Sequence, residues 1–495
     1  VKVNIETLQD TFRYGYEQYE SSRIESQTVW DMYHNRQYTV DQLSTLSNRS
    51  QPAETFNVIK LFARMLMGYF STTVNEIVIN PVQESDLDTA LLLNDVVQQI
   101  FKPAQFEAES DKMKLSGILS GLMVAYEEVT DTGKKDKYGR PIYEIQYSHV
   151  PEREIVLDPS STAANYSDGN WIHRYKWLHE DLVVKTFGQE AKDKLDAYDN
   201  HVDQTDTEFE SVYNGEFVGK YRVYDNYLII HTVMIDDDEQ RWSVFWSGDV
   251  ELQRTKLVST KVKFPYRIQK VHTSDIPEYY GIFREIIETQ KAINQALTKF
   301  QLLANTQKVF VQEGAVEDIE DFTDSFNRVS GVIQVKELNG IKIVDLSREA
   351  LQQYDIINKA LDRIQRVLSV NDSFLGLAQA SDSGRKVKLQ RSATITSLRY
   401  LTSQIEQYYV NMGIDAVYLV QQYYTANQVI RIANETSGFR WSESNKPLEV
   451  WNGEYGESGA PVMETQFEEV NDPETGEPLE VDGKFVIAPI PEAGT

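Results

Sequence analysis

One long helix is expected from about residue 386 to about residue 426. Leu398, Leu401, Ile405, Tyr408, Met412, Ala416, Leu419 and Tyr423 recur at helical spacing. A helix of about forty residues would span about 60 Å, far more than the usual helix of a globular domain. Gly413 sits in its middle as a place for a kink. A rod of that length fits a structural assembly better than a small enzyme.

The segment before it is basic and rich in Gly and Ser. In NDSFLGLAQASDSGRKVKLQRS, Gly376, Ser381, Asp382, Ser383 and Gly384 break helical continuity. Arg385, Lys386, Lys388 and Arg391 crowd the end of the break. Such a stretch is either a solvated loop or a loop that touches a phosphate backbone, since that contact needs positive charge and no sequence code.

Two more helices lie upstream. Ala350, Tyr354, Ile357, Leu361, Ile364 and Leu368 make a narrow seam. It suits packing within a monomer, a coiled coil, or burial on a neighbouring subunit. In residues 281–307, Ile286, Ile293, Leu297, Phe300 and Ala304 form one face. Gln290, Asn294, Gln295, Gln301 and Asn305 are assigned to the other. That amide face is an ordinary solvated surface or a wall past which DNA slides, because amides offer no fixed charge to hold a phosphate.

Between those helices lies a short insert. Val309–Gln312, Val332–Val335 and Ile341–Val344 read as strands, with Asn339-Gly340 as a hairpin turn between the last two. A small helix is expected between Glu317 and Asn327. The insert is too small to bury much core alone.

The first 270 residues mix helices and strands, which makes the chain α+β. Helices are expected over 4–36 and 55–72, and a strand from Val74 to Asn80. Helices follow on either side of Pro103. Val124–Thr130 and Pro141–Ser148 read as a long hairpin, Trp171–Leu178 as a strand and Glu180–Asp199 as a helix. Asp236-Asp237-Asp238-Glu239 is a hairpin tip between Val223–Ile235 and Trp242–Trp246.

Composition closes off several functions. The net charge is −27, the wrong sign for a protein that grips DNA tightly. It suits a conduit whose wall repels the duplex, or simple solubility. With no cysteine, disulfides and thiolate metal sites are excluded. No apolar run is long enough for a membrane span. No phosphate-binding loop, G-x-G-x-x-G, H-E-x-x-H or G-x-S-x-G is present. His173 and His179 lack a carboxylate at ligand spacing. No catalytic residue, metal or cofactor is expected.

Taken in order, these segments resemble the tailed-phage portal protein, the head-to-tail connector. Glu54-Thr55-Phe56-Asn57-Val58-Ile59-Lys60 resembles the portal pattern of an Asn opening a helix. Asp275-Ile276-Pro277-Glu278-Tyr279-Tyr280-Gly281, followed by Gln290 and Asn294, resembles the entry to the first stem helix. Ser381-Asp382-Ser383-Gly384-Arg385-Lys386, followed by Gln390-Arg391, resembles the start after the tunnel loop. The likeness covers roughly residues 1–445.

The resemblance implies a wing over 1–275, a stem helix over 276–305 and a clip over 306–347. A second stem helix follows over 348–370, then a tunnel loop over 371–388 and a long wing or crown helix over 389–426. An acidic, strand-rich segment fills 427–495. It implies a homo-oligomeric ring, usually a dodecamer, at the portal vertex of the virion capsid. Double-stranded DNA would pass through without sequence preference. The partners would be the major capsid protein, the terminase motor and then a head-completion adaptor or tail protein. Arg385, Lys386, Lys388 and Arg391 become candidate DNA contacts, and Gln290, Asn294 and Gln301 candidate channel lining. The alternatives are another viral head or tail connector without a DNA-gripping loop, and an enzyme with a convergent polar pocket.

Overall fold

The structure is a computed structural model. It describes the chain apart from residues 1–2, 50, 73–76, 82, 84–86, 102–103, 136–138, 140, 198–221, 224, 258–260, 306–307, 328–334, 345, 371–383, 425–428, 435–437, 444–448, 456–460, 466, 470–479, 482–483, 486 and 490–495.

Six helices open the chain: α1 (Ile5–Gln18), α2 (Glu20–Tyr33), α3 (Val40–Asn48), α4 (Val58–Thr72), α5 (Leu87–Phe101) and α6 (Ala104–Leu119). Strands β1 (Leu122–Lys135), β2 (Pro141–His149), β3 (Ile155–Leu157) and β4 (Trp171–His179) follow, then α7 (Glu180–Phe187) and α8 (Gln189–Ala197). Next come β5 (Arg222–Val223), β6 (Asn226–Ile235), β7 (Arg241–Ser247), β8 (Val250–Leu257) and β9 (Tyr266–Lys270). The chain continues through α9 (Ile287–Asn305), β10 (Lys308–Val311), α10 (Ile319–Asn327) and β11 (Ile341–Val344). Three helices end this part: α11 (Ser347–Val367), α12 (Gly384–Ser397) and α13 (Arg399–Tyr423). Eight short strands between Val429 and Pro489 pair as four antiparallel two-stranded ribbons. The fold is α+β.

Contacts divide the chain into two units. The first holds residues 1–28, 63–282 and 398–495, and the second holds 29–62 and 283–397. Residues 29–62 therefore belong with the segment that begins more than two hundred residues later, not with the rest of the N-terminal region.

In the first unit, a six-stranded sheet in the order β3-β4-β6-β7-β8, with β5 on β6, carries the main core. Asn4 caps α1 by accepting the Thr7 N–H at 2.8 Å. Leu8, Phe12 and Tyr16 then fall on one face and pack on Trp171, Tyr175, Leu228, Ile230 and Trp246. Beside it stands a three-stranded antiparallel sheet, β2-β1-β9. Helix α13 packs on that sheet through β9 and β2. The β1–β2 hairpin and the β6–β7 hairpin form where turn residues and alternating patterning place them.

Two glycines let backbones touch in this unit. A Cβ on Gly121 (φ +82°) would lie 2.0 Å from the Tyr280 backbone, and one on Gly281 would lie 2.2 Å from the Leu119 carbonyl oxygen. Gly281 is thus a crossing point between the segment before α9 and the end of α6, and not only the start of a helix.

In the second unit, α9 and α11 pack side by side. Ala350, Ile357, Ile364 and Leu368 of the expected seam are buried, whereas Tyr354 is exposed, its ring tilted at 43° to that of Phe300 with 6.0 Å between centroids. β10 and β11 pair antiparallel, with Phe310 opposite Lys342. Asn339-Gly340 lies in a 3-10 turn leading into β11, and the expected hairpin partner at 332–334 falls outside the described residues.

Several expected elements are subdivided. Residues 4–36 form two helices that meet at Tyr19. The helix expected over 180–199 is cut at Gly188, whose φ of 89° ends α7. Residues 77–80, expected to end a strand, are not strand, and 73–76 lie outside the described residues. The forty-residue rod is two helices broken at Leu398. Gly413 does not interrupt the second. It is buried there, and a Cβ on it would lie 2.6 Å from the Ile77 side chain.

Candidate nucleic-acid interface

Arg385, Lys386, Lys388 and Arg391 are not in a loop. They fall within the first eight residues of α12, which begins at Gly384, and all four are exposed. Residues 371–383 of the expected tunnel loop lie outside the described residues. The resemblance placed residues up to 388 in the tunnel loop, but the helix already starts at Gly384.

The placement is electrostatically costly. The N-terminal turns of a helix carry the positive end of its dipole, so cations there are disfavoured and anions favoured. No acidic residue lies within α12 itself.

The other end of α12 is fixed. Ser397 donates its hydroxyl to the Ser369 carbonyl at 3.4 Å. Ser369 adopts a left-handed φ of 54° directly after α11, and Val370 beyond it is buried. At 1.5 Å per residue, Arg385 lies about 18 Å along the helix from Ser397. The basic end is therefore held well away from its anchor.

Charge is divided unevenly along the chain. The second unit contains as many basic as acidic residues, so the whole net charge of −27 falls on the first.

The amide residues divide differently from the expectation. Gln290 and Asn294 are buried, and Gln301 is partly exposed. Gln290 accepts the Val58 N–H at 3.0 Å and donates to the Phe56 carbonyl at 2.8 Å. Asn294 accepts the Phe56 N–H at 3.2 Å, and both amides donate to the Gln37 side-chain oxygen. Asn57 caps α4, accepting the Lys60 N–H at 2.9 Å. Gln290 and Asn294 thus present no side-chain surface to a channel. They clasp the entry of α4 onto α9, joining two of the sequence motifs singled out above.

That clasp was partly visible in the sequence. Gln290 falls four residues after Ile286 and three before Ile293, on the apolar stripe itself. Gln37, its partner, carried no signal, because it is brought in from a segment more than 250 residues away.

The remaining charged clusters serve the fold. A cleft of about 880 Å³ in the first unit is lined by Asp158, Trp171, Asp236, Arg241 and Lys263 among others. Asp158 accepts the N–H groups of Ser160 at 2.9 Å and Asn170 at 3.0 Å, and Asp236 accepts from Gln240 and Trp242. These carboxylates shape turns. His173 is buried against Thr232, and His179 caps α7. Among the described residues no cluster of His, Cys, Asp or Glu could hold a metal ion. Among the same residues no helix is long and apolar enough to cross a membrane.

The polar clusters described above brace turns in an α+β chain whose long helices serve as packing surfaces. The model of the Phage P22-like portal protein family matches residues 9–477, and the chain belongs to that family. It is 22% identical over 451 residues to the "Portal protein" of Helicobacter pylori bacteriophage KHP30, covering 89% of this chain and 70% of that relative. As a phage portal protein it is structural and non-enzymatic, a component of the head-to-tail connector.

Proposed function

We propose that this chain is the subunit of a ring at the capsid vertex through which double-stranded DNA is packaged and ejected. The observation that carries the reading is the exposed basic end of α12, set against its own helix dipole, in a formally neutral unit of an otherwise acidic protein. Arg385, Lys386, Lys388 and Arg391 make transient phosphate contacts there, and the acidic remainder keeps the duplex from sticking. Gln301 is the remaining candidate among the three amides for a channel wall.

In this reading residues 1–275 form the wing. Residues 276–305 and 348–370 form the stem, and 306–347 the clip. Residues 371–388 form the tunnel loop with the first turn of α12, and 389–426 the crown helix. The acidic segment 427–495 is peripheral. The ring, a dodecamer, sits among copies of the major capsid protein, receives the terminase and later the adaptor or tail. Subunits close the ring by heterologous contacts. Exposed Phe310, Ile319 and Ile343 in the clip support this, since each would gain from burial on a neighbour.

The test is a triple variant, Arg385→Ala, Lys386→Ala and Lys388→Ala, carried into particles. Ring assembly should persist and DNA packaging or retention should fall. Removing cations from the helix start should leave thermal stability equal or slightly higher. Particles that package and retain DNA as wild type does would refute the contact role.

A further inference from the structure

Helix α13 is held on the β2-β1-β9 sheet by a buried charge cluster that the DNA-contact reading does not use. Arg267 of β9 donates through Nε to Asp415 of α13 at 2.6 Å, and its terminal nitrogen bonds the same Oδ2 atom. Glu127 of β1 is buried beside them, with its Oε1 4.0 Å from the Arg267 Nε. Among the described residues, neither Glu127 oxygen has a hydrogen-bond donor. Two buried carboxylates therefore share one partly buried guanidinium.

The surrounding groups do not supply the missing donor. On β2, Tyr147 gives its hydroxyl to the Met412 carbonyl at 3.4 Å. On α13, Tyr408 gives its hydroxyl to the Met113 sulfur of α6 at 3.5 Å. Arg267 is committed to Asp415. An ionised carboxylate buried without donors is far more costly than a protonated one. A protonated Glu127 has an O–H to donate, and the Asp415 Oδ1 is not occupied by Arg267.

We propose that Glu127 carries a proton that it donates in a hydrogen bond to Asp415, and that this contact is a proton-operated latch holding α13 to the sheet. With the proton in place, Glu127 donates to Asp415, and the single remaining negative charge is matched by Arg267. When the proton leaves to solvent, two carboxylates face one guanidinium, and their repulsion acts across the α13–β1 contact. Burial first, then Asp415, pushes the Glu127 carboxyl well above the usual carboxylate range, and Arg267 opposes this only in part. Burial and the Glu127 and Asp415 charges raise Tyr147, and burial and Tyr409 raise Tyr408, so both phenols stay neutral across the working range. The latch thus weakens as pH rises, the reverse of an ordinary ion pair.

The experiment compares full-length wild type with Glu127→Gln, which has the shape and charge of the protonated acid. Infrared difference spectra at pH 7 should show a protonated-carboxyl carbonyl band in wild type that Glu127→Gln lacks. Glu127→Gln should melt at or above wild type at pH 7. Hydrogen exchange of α13 peptides, corrected for intrinsic rate, should quicken from pH 6 to pH 9 in wild type and stay level in the variant. An absent band, or a variant that melts below wild type with unchanged pH dependence, would overturn the proposal and make Glu127 an ordinary ion-pair partner of Arg267. The infrared measurement on wild type decides the matter even if the variant folds poorly.

Discussion

The Gln290 side chain holds Phe56 and Val58 at once, donating to one carbonyl and accepting from the other's N–H. The pair of bonds fixes where α4 begins against α9. Gln290→Ala would leave the buried Val58 N–H and Phe56 carbonyl only their 3.0 Å bond to each other, a cost of about 1–3 kcal/mol in all. Asn294→Ala should cost a similar amount, and the double variant less than the sum, because both amides share Gln37. Denaturant titration of the three variants checks this. Wild-type stability in Gln290→Ala would contradict a clasp role.

Gly281→Ala should be among the most damaging single-methyl additions in the chain. Its Cβ would overlap the Leu119 carbonyl oxygen, which is backbone and cannot swing aside. Gly139→Ala is the control. It has a positive φ, of 85°, which Gly281 lacks, but open space around the new methyl, so it should cost only about 1 kcal/mol. Soluble yield and melting temperature of the two proteins make the comparison, and equal losses would contradict it.

Acid should loosen the first unit before its carboxylates titrate. His173 and His231 are buried in the six-stranded sheet, and burial holds both down to about 3. His149 is held down to about 4, again chiefly by burial. All three are neutral in the fold and take up protons on unfolding below the ordinary histidine value of about 6.5. Their stability is complete above that pH and is lost as pH falls toward 3. Each contributes a slope of up to about 1.4 kcal/mol per pH unit. Glu127, with its raised value, works in the opposite sense over part of this window. Unfolding free energy measured between pH 6.5 and pH 5 should therefore fall with acid, and fall more steeply in Glu127→Gln. A flat profile would mean that the histidines are hydrated.

Local pattern and turn chemistry made much of the fold legible. The β1–β2 and β6–β7 hairpins, the strand at Trp171 and the α11 seam follow from alternation, helical spacing and turn residues close in sequence. What was not legible depended on distant segments. Nothing near Gln290 indicates that residues 29–62 come to cover it, so its amide read as a polar face. The pattern put a helix start near Lys386, but Ser and Gly before it argue for a loop, so the resemblance carried the tunnel loop on to 388 past the true start at Gly384. The Glu127, Arg267 and Asp415 cluster draws on three elements and has no spacing at all to read.

The division of the second unit into 29–62 and 283–397 has a consequence for how such chains exchange parts. Gln290 and Asn294 lie in one piece, while Gln37, Phe56 and Val58 lie in the other. A recombination event that imports only the later piece from a diverged relative brings two amides to a foreign strip of backbone. Viable hybrids should therefore inherit both pieces from the same parent, leaving a linked pair of ancestries separated by more than two hundred residues of unrelated descent.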